Sequence, residues 1–107
     1  PDFRMRDLRG RDFRGGDLAG ARLRGANLSR ADLTGADLRG ADLFGASLAH
    51  SHLAGADLRG ANLIAADLRR ADLSGTNLKG ALVTDRQLAR AGALTGALLP
   101  DGSLANA

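Results

Sequence analysis

Leucine or phenylalanine recurs at every fifth position over most of the chain, and the positions between are mainly small or polar. The recurring positions run from Phe3 to Leu78, and all 16 of them hold Leu or Phe. The residue before each is Asp or Asn in 13 of the 16 cases, the residue two before is usually Ala, and the residue two after is usually Gly. The repeating unit is therefore Ala-(Asp/Asn)-Leu-x-Gly, and any fold for this chain has to explain it.

A period of five fits neither standard secondary structure. On an α-helix, five steps of about 100° turn each successive Leu by roughly 140°, so the leucines spiral round the helix. On a strand, five steps move the side chain to the opposite face. The leucines are buried together only if the chain bends once per repeat, and Gly most readily takes the positive φ of such a bend. Extended segments joined by bends form coils, and stacked coils form a solenoid.

Runs such as Ala31-Asp32-Leu33-Thr34-Gly35 and Ala36-Asp37-Leu38-Arg39-Gly40 resemble the pentapeptide-repeat proteins, and this resemblance covers residues 1–83. It implies an all-β solenoid, a right-handed quadrilateral β-helix with four pentapeptides in each coil. That geometry gives about four coils and, at a strand spacing of roughly 4.8 Å, a rod core about 20 Å long. We therefore expect one β-helical domain over residues 1–83.

The repeat stops after Val83, where a different pattern begins. Thr84 and Gln87 have the spacing of a capping box, and Asp85 supplies negative charge in a first helical turn. We predict a C-terminal cap over residues 84–107, made of a short helix at 85–91 and a following coil. Leu88 should face the last coil, and the remaining apolar opening should be covered by Leu94, Leu98 and Leu99.

The N-terminal end of the solenoid carries arginine where the repeat has an inward-facing Ala, at Arg6 and Arg11. A guanidinium on the axis of a Leu/Ala core is costly to bury. Three solutions stay open: the side chains extend out of the open end, the first coil is distorted, or another chain or domain covers that end. No cap precedes Phe3, so a longer protein is also consistent with the pattern, and the larger rings of Phe3 and Phe13 can plug the opening.

Composition narrows the function mainly by exclusion. The chain has 107 residues, 15 Lys+Arg, 12 Asp, no Cys and a formal net charge of +3. Without Cys it has neither disulfides nor thiolate metal sites, and no apolar run approaches the length of a transmembrane helix. The first four residues lack the apolar stretch of a signal peptide, so we expect a cytoplasmic location without membrane association. No catalytic or cofactor-binding motif is present, so the sequence predicts neither enzymatic activity nor a cofactor.

Stacking with four repeats in each coil converts the sequence into a map of surface ladders. One face carries Asp17, Asp37, Asp57 and Asn77 beside Ala19, Arg39, Arg59 and Lys79. Opposite charges in adjacent ladders offset each other, which favours a self-neutralised, solvated face. The alternative interpretation is a docking stripe for a charged partner formed by Arg39, Arg59 and Lys79.

Two further ladders hold candidate binding residues. Phe44 and Ile64 stack next to each other, facing outward and close to Leu82, and such a pair marks a contact site or is a normal feature of a protein surface. His52 stacks between Asp32 and Asp72, a weak signal for a metal site because two His without Cys or Glu are a poor ligand set. We expect no metal there.

Three hypotheses of function follow. The first is a non-enzymatic scaffold, a rigid rod that presents side-chain ladders to a protein partner. The second comes from the resemblance: pentapeptide-repeat proteins of the quinolone-resistance type imitate duplex DNA and bind gyrase, but that mimicry needs a long, strongly negative rod. The third is self-association through the uncapped N-terminal coil, an open edge that invites pairing. Nucleic acid is a disfavoured partner, because the arginine cluster of residues 4–14 has no base-stacking aromatics in support.

Overall fold

The chain winds into a four-sided coil that returns to the same side after every four repeats. The computed structural model describes residues 1–105, and each coil pairs with the next through one parallel β-bridge per side. On face 1 the bridged residues are Asp2, Arg22, Asp42, Asn62 and Leu82. On face 2 they are Asp7, Asn27, Ser47 and Asp67. On face 3 they are Asp12, Asp32, His52, Asp72 and Ala93, and on face 4 Asp17, Asp37, Asp57, Asn77 and Leu98. The predicted quadrilateral β-helix of about four coils is therefore confirmed.

Each corner of the coil is a tight turn that follows the central Leu of a repeat. At one such corner the carbonyl of Leu38 accepts a hydrogen bond from the N–H of Ala41 at 3.0 Å, and Gly40 has φ 65°. Positive φ at the third residue of a four-residue turn is the pattern of a type II turn, which favours Gly at that position. The period of five thus comes from three extended residues and a two-residue bend.

The repeat centres and the Ala positions form one dry column inside the coil. None of the central leucines from Leu8 to Leu78 is more than 5% exposed. Ser51 and Thr76 replace Ala at two inward positions, and their hydroxyl groups donate to the carbonyls of Leu48 and Leu73 at 2.7 and 2.8 Å. Because these buried hydroxyls are paired inside their own turns, they interrupt the Ala column without an unsatisfied polar group.

The Asp or Asn before each Leu stabilises the corner that follows. The Oδ1 of Asp37 accepts a hydrogen bond from the N–H of Arg39 at 3.1 Å, and Asn77 accepts one from the N–H of Lys79 at 3.1 Å. Such side-chain turns occupy a backbone N–H that the bend would otherwise leave to water. The predominance of Asp and Asn at this position is therefore structural.

A short helix replaces face 2 in the fifth coil. Helix α1 spans Asp85–Ala89, two residues shorter than the predicted 85–91, and it begins with the predicted capping box between Thr84 and Gln87. Leu88 is buried against the last coil, as expected. The Nε2 of Gln87 also donates to the carbonyls of Leu63 and Ala66 at 2.6 and 3.0 Å, so one side chain both caps α1 and holds it to the coil below.

The chain rejoins the solenoid after α1 with one extra residue. Ala93 bridges Asp72 and Leu98 bridges Asn77, and each pair is one position further apart along the chain than the bridged pairs of the earlier coils. The chain then turns back, and Leu104 pairs antiparallel with Leu98. The predicted cap residues Leu94 and Leu99 pack against the core, whereas Leu98 is 36% exposed. Faces 2 and 4 of the C-terminal end are therefore covered by elements that are not further coils.

The N-terminal end is plugged by side chains while its backbone edge stays open. Phe3 and Phe13 pack against the core with ring centroids 6.2 Å apart. Arg6 and Arg11 are exposed, and the first coil makes regular bridges to the second, so the first coil is not distorted; coverage of this end by another chain or domain stays a prediction. The outward carbonyls of residues 2, 4, 7 and 9 accept no hydrogen bond from the described residues, and the N–H of Asp12 donates none to them.

Candidate interaction surfaces

The charged ladders of face 4 are paired within each repeat. Nε and one terminal nitrogen of Arg39 donate to the two carboxylate oxygens of Asp37 at 2.9 and 2.7 Å, and Arg59 forms the same fork with Asp57. The hydrogen bond from the Arg39 side chain, with a second from its backbone N–H, lowers the pKa of Asp37 to about 2. Lys79 stands beside the neutral Asn77 and has no ion pair among the described residues. Two of the three basic groups of the predicted stripe are therefore already engaged.

The same fork occurs on other faces of the rod. Arg4, Arg9, Arg14 and Arg69 each bind the Asp two residues earlier, at 2.7 to 2.8 Å. A bidentate fork of this kind fixes the guanidinium plane as well as its charge. The sequence places opposite charges in neighbouring ladders, and the structure adds that the two partners of each of these forks belong to a single repeat.

An apolar patch lies on face 1, formed by Phe44, Ile64 and Leu82. Their exposed fractions are 37%, 37% and 55%. The guanidinium of Arg24 lies over the Phe44 ring with Cζ 4.7 Å from the centroid, and its Nε donates to Asp42 at 3.0 Å. Phe44 thus has a cation over its ring, and Ile64 occupies the same ladder position on the next coil. The residues predicted as a contact pair are adjacent and outward-facing.

The face 3 ladder places His52 between Asp32 and Asp72, as the stacking predicts. No group of three His, Cys, Asp or Glu with metal-binding geometry occurs among residues 1–105. Asp32 and Asp72 are instead engaged with the hydroxyl-bearing residues two positions later, and the bond from Thr34 lowers the pKa of Asp32. Their oxygens are held in corner turns.

The corner between faces 2 and 3 holds residues other than Gly at positive φ, a feature that the sequence indicates only weakly. Among residues 1–105, five residues other than Gly adopt positive φ, and three of them, Arg30, His50 and Arg70, stand at the corner between faces 2 and 3 in consecutive coils. We call these three the corner ladder. The signal in the sequence is the missing Gly at the last position of three repeats, because that position takes positive φ whichever residue fills it.

Within the described part of the chain, no helix has the length and apolar character needed to cross a membrane. The helix α1 has five residues. A hollow of about 340 Å³ lies beside it, with a lining that includes Asp67, Arg69, Arg86 and Arg90. Asp67 is already bound to Arg69 in this hollow, so its charged groups are arranged for mutual pairing.

Comparisons with known proteins agree with this architecture. A pentapeptide repeat protein of the Arabidopsis thaliana thylakoid lumen is 34% identical, with 97% of this chain and 72% of that chain covered and a TM-score of 0.82. A pentapeptide repeat protein from Nostoc PCC 7120 is 37% identical, with 86% and 84% covered and a TM-score of 0.71. A search of curated proteins finds no match.

The family described as "Pentapeptide repeats" matches residues 7–40 and 41–80, in 8 copies. These residues form coils 1 to 4, and the solved structures named above share the right-handed quadrilateral β-helix. The chain belongs to the pentapeptide repeat family.

Proposed function

We propose that this protein is a non-enzymatic scaffold that binds a protein partner through the apolar patch of Phe44, Ile64 and Leu82. The observation that carries the proposal is the exposure of three large apolar side chains on one face, where the neighbouring charged groups Arg24 and Asp42 are paired with each other. Adjacent exposed apolar residues bordered by polar ones are typical of protein contact sites. Burial of such side chains by a partner supplies affinity without any new charge contact.

The coil holds the patch in a fixed geometry before any partner arrives. Asp42, Asn62 and Leu82 are bridged to each other on face 1, so the side chains that follow them are spaced by the coil repeat. The cation over the Phe44 ring further restricts that ring. A preorganised surface loses little conformational entropy on binding, which favours a scaffold role.

The other candidate surfaces are weaker supports for partner binding. Arg39 and Arg59 would have to leave their carboxylates to meet a partner, and Lys79 stands alone at the end of that stripe. Arg6 and Arg11 are exposed at the N-terminal end, where they remain candidates for contact with another chain. Mimicry of duplex DNA is not favoured, because eight of the 12 Asp carboxylates are paired with arginines and the net charge is +3. A cytoplasmic location stays a prediction, since one related structure comes from a thylakoid lumen.

The proposal is tested by placing a photoreactive amino acid at position 44 and, as a control, at position 34 in the cells that produce the protein. Thr34 follows a central Leu like Phe44 but lies on face 3 and is exposed. We expect a discrete crosslinked product from position 44 that is absent from position 34, and its loss when Ile64 is changed to Asp. The same products from both positions, or none from position 44, would overturn the proposal.

A further inference from the structure

We propose that the corner ladder of Arg30, His50 and Arg70 is a docking edge for an acidic α-helix of a protein partner. The inference rests on the scaffold function proposed above, but it uses a different surface from the apolar patch. It assigns a chemical class to the partner segment: a helix with a row of carboxylates along one side.

The three residues occupy the same corner in consecutive coils. The N–H of Arg30 donates to the carbonyl of Ala49 at 3.0 Å, and the N–H of His50 donates to the carbonyl of Arg69 at 2.9 Å, so each residue stacks against the corner of the next coil. All three side chains are exposed. They therefore form a line along the edge between faces 2 and 3.

The backbone at these positions is strained for any residue with a Cβ. Their φ angles are 61°, 59° and 57°, in the left-handed region where an L side chain is costly and Gly is not. Most other corners of the rod have Gly, including Gly10 at this same corner in the first coil. Strained residues concentrate at functional sites, so three basic side chains kept where Gly fits better point to a use for them.

Their basic side-chain groups have no carboxylate partner within the described part of the protein. No carboxylate among the described residues lies within 4.0 Å of the basic groups of Arg30, His50 or Arg70, whereas Arg69, the neighbour of Arg70, is bound to Asp67 at 2.7 Å. Elsewhere on the rod the arginine that follows an Asp-Leu pair is usually neutralised in its own repeat. The corner ladder is thus a line of donors available to an external acceptor.

The spacing of the ladder matches a helix better than an extended peptide. One coil step is about 4.8 Å, so Arg30 and Arg70 are about 9.6 Å apart along the rod, with His50 midway. Residues seven apart in an α-helix share one side and are separated by about 10.5 Å, with a further residue between them at i+4. Same-side residues of a strand recur at about 6.6 and 13.2 Å, which fits neither the step nor the full span.

The two faces beside the corner ladder, faces 2 and 3, favour a ligand whose negative charges form a single row. In coils 2 and 3 face 2 presents the neutral, partly buried Asn27, Ser29 and Ser47, and in coil 4 it carries Asp67 and Arg69, whose charges are paired with each other. Face 3 carries the carboxylates of Asp32 and Asp72 on the other side. A broad polyanion such as duplex DNA would meet those carboxylates, whereas a single row of glutamates avoids them. The observations therefore favour a protein helix over nucleic acid.

The test measures binding of a fluorescent, alanine-rich helical peptide with glutamates at i, i+4 and i+7 by anisotropy, beside a peptide of the same composition with glutamates spread round the helix. We expect the row peptide to bind more tightly. The Arg30→Gly/His50→Gly/Arg70→Gly variant should bind it about tenfold more weakly, although its thermal midpoint should be no lower than the parent's, because Gly relieves the strain. The Arg22→Gln/Lys79→Gln variant loses the same two permanent charges on other faces and should bind within about twofold of the parent.

Four results would overturn the inference: equal binding of the two peptides, unchanged binding by the glycine variant, an equal loss in the control variant, or tighter binding of a duplex DNA that the glycine substitutions abolish. The last result would assign the ladder to nucleic acid. None of these affects crosslinking from position 44, so failure of this inference is distinguishable from failure of the scaffold proposal.

Discussion

The rings of Phe3 and Phe13 meet edge to face inside the first coil, with centroids 6.2 Å apart and planes inclined at 61°. They come from faces 1 and 3, so the contact closes the end of the leucine column from two opposite sides. We predict that Phe13→Ala lowers the free energy of unfolding by about 2 kcal/mol, because it opens the column to water and removes an aromatic pair. Urea unfolding measures the effect, and Phe44→Ala on the surface should cost less than half as much.

The loss in the free energy of unfolding when a Leu is shortened to Ala should depend on how deeply that Leu is buried. Leu38 is fully buried and Leu82 is 55% exposed. We expect Leu38→Ala to destabilise the protein by about 2–5 kcal/mol and Leu82→Ala by under about 1 kcal/mol. Leu38→Lys should prevent folding, since it places an ammonium group in the dry column. Similar unfolding curves for Leu38→Lys and the parent would contradict the proposed architecture of the core.

The C-terminal cap should depend on the amide of Gln87 as a donor. Gln87→Ala removes its bonds to the carbonyls of Leu63 and Ala66, and we expect a loss of about 1–3 kcal/mol in the free energy of unfolding. Gln87→Glu keeps the acceptor for the Thr84 N–H but cannot donate to those carbonyls, so it should destabilise at least as much. If Gln87→Glu is neutral by urea unfolding, the capping box alone holds α1.

Acid should destabilise the protein over a defined pH range. Hydrogen bonds from the arginine two residues on lower the pKa of Asp2, Asp12 and Asp37 to about 2, below the value of about 3.9 for an unfolded Asp. The unfolded chain therefore takes up protons first, and this stabilisation is complete above about pH 4 and is lost as the pH falls toward about 2. We expect urea midpoints that stay level from about pH 7 to 5 and fall below about pH 4. A fall that begins above about pH 5 would contradict this account.

The open edge of the first coil should give only weak self-association. The rod is 24 × 21 Å in cross-section, so one end offers about 400 Å² per partner, about half of what a stable interface buries. We expect sedimentation velocity to show concentration-dependent association that Asp12→Pro suppresses, because proline removes an edge donor and blocks pairing. Leu104→Lys, at the capped end, should leave the association unchanged. The reverse pattern would place the contact at the C-terminal end.

The repeat could be predicted from the sequence because each of its positions has one physical role. Leu at the centre, Ala inward and Gly at the bend follow from burial and positive φ. The stacking of Asp32, His52 and Asp72 followed once the resemblance gave four repeats per coil. The capping box of Thr84 and Gln87 was readable because it is local.

What could not be predicted depends on contacts between distant segments. The bonds from Gln87 to Leu63 and Ala66 join positions far apart in the chain, and no local pattern indicates them. Ala93 and Leu98 return to the solenoid with an extra residue after α1, which ended two residues before the predicted boundary. The strain at Arg30 required backbone angles, because arginine at that position otherwise resembles any surface charge.

Each coil contacts only the coils directly before and after it. The number of coils, and with it the length of the rod, can therefore change without disturbing the rest of the protein. Gly40 is followed by Ala41 and Gly60 by Ala61, so removal or duplication of one block of four repeats joins matching residues and leaves the phenylalanine plug and α1 untouched. Each block changes the rod by about 4.8 Å. Proteins that descend from this one by such changes can therefore differ in the distance between the two ends of the rod, always by whole multiples of one coil step.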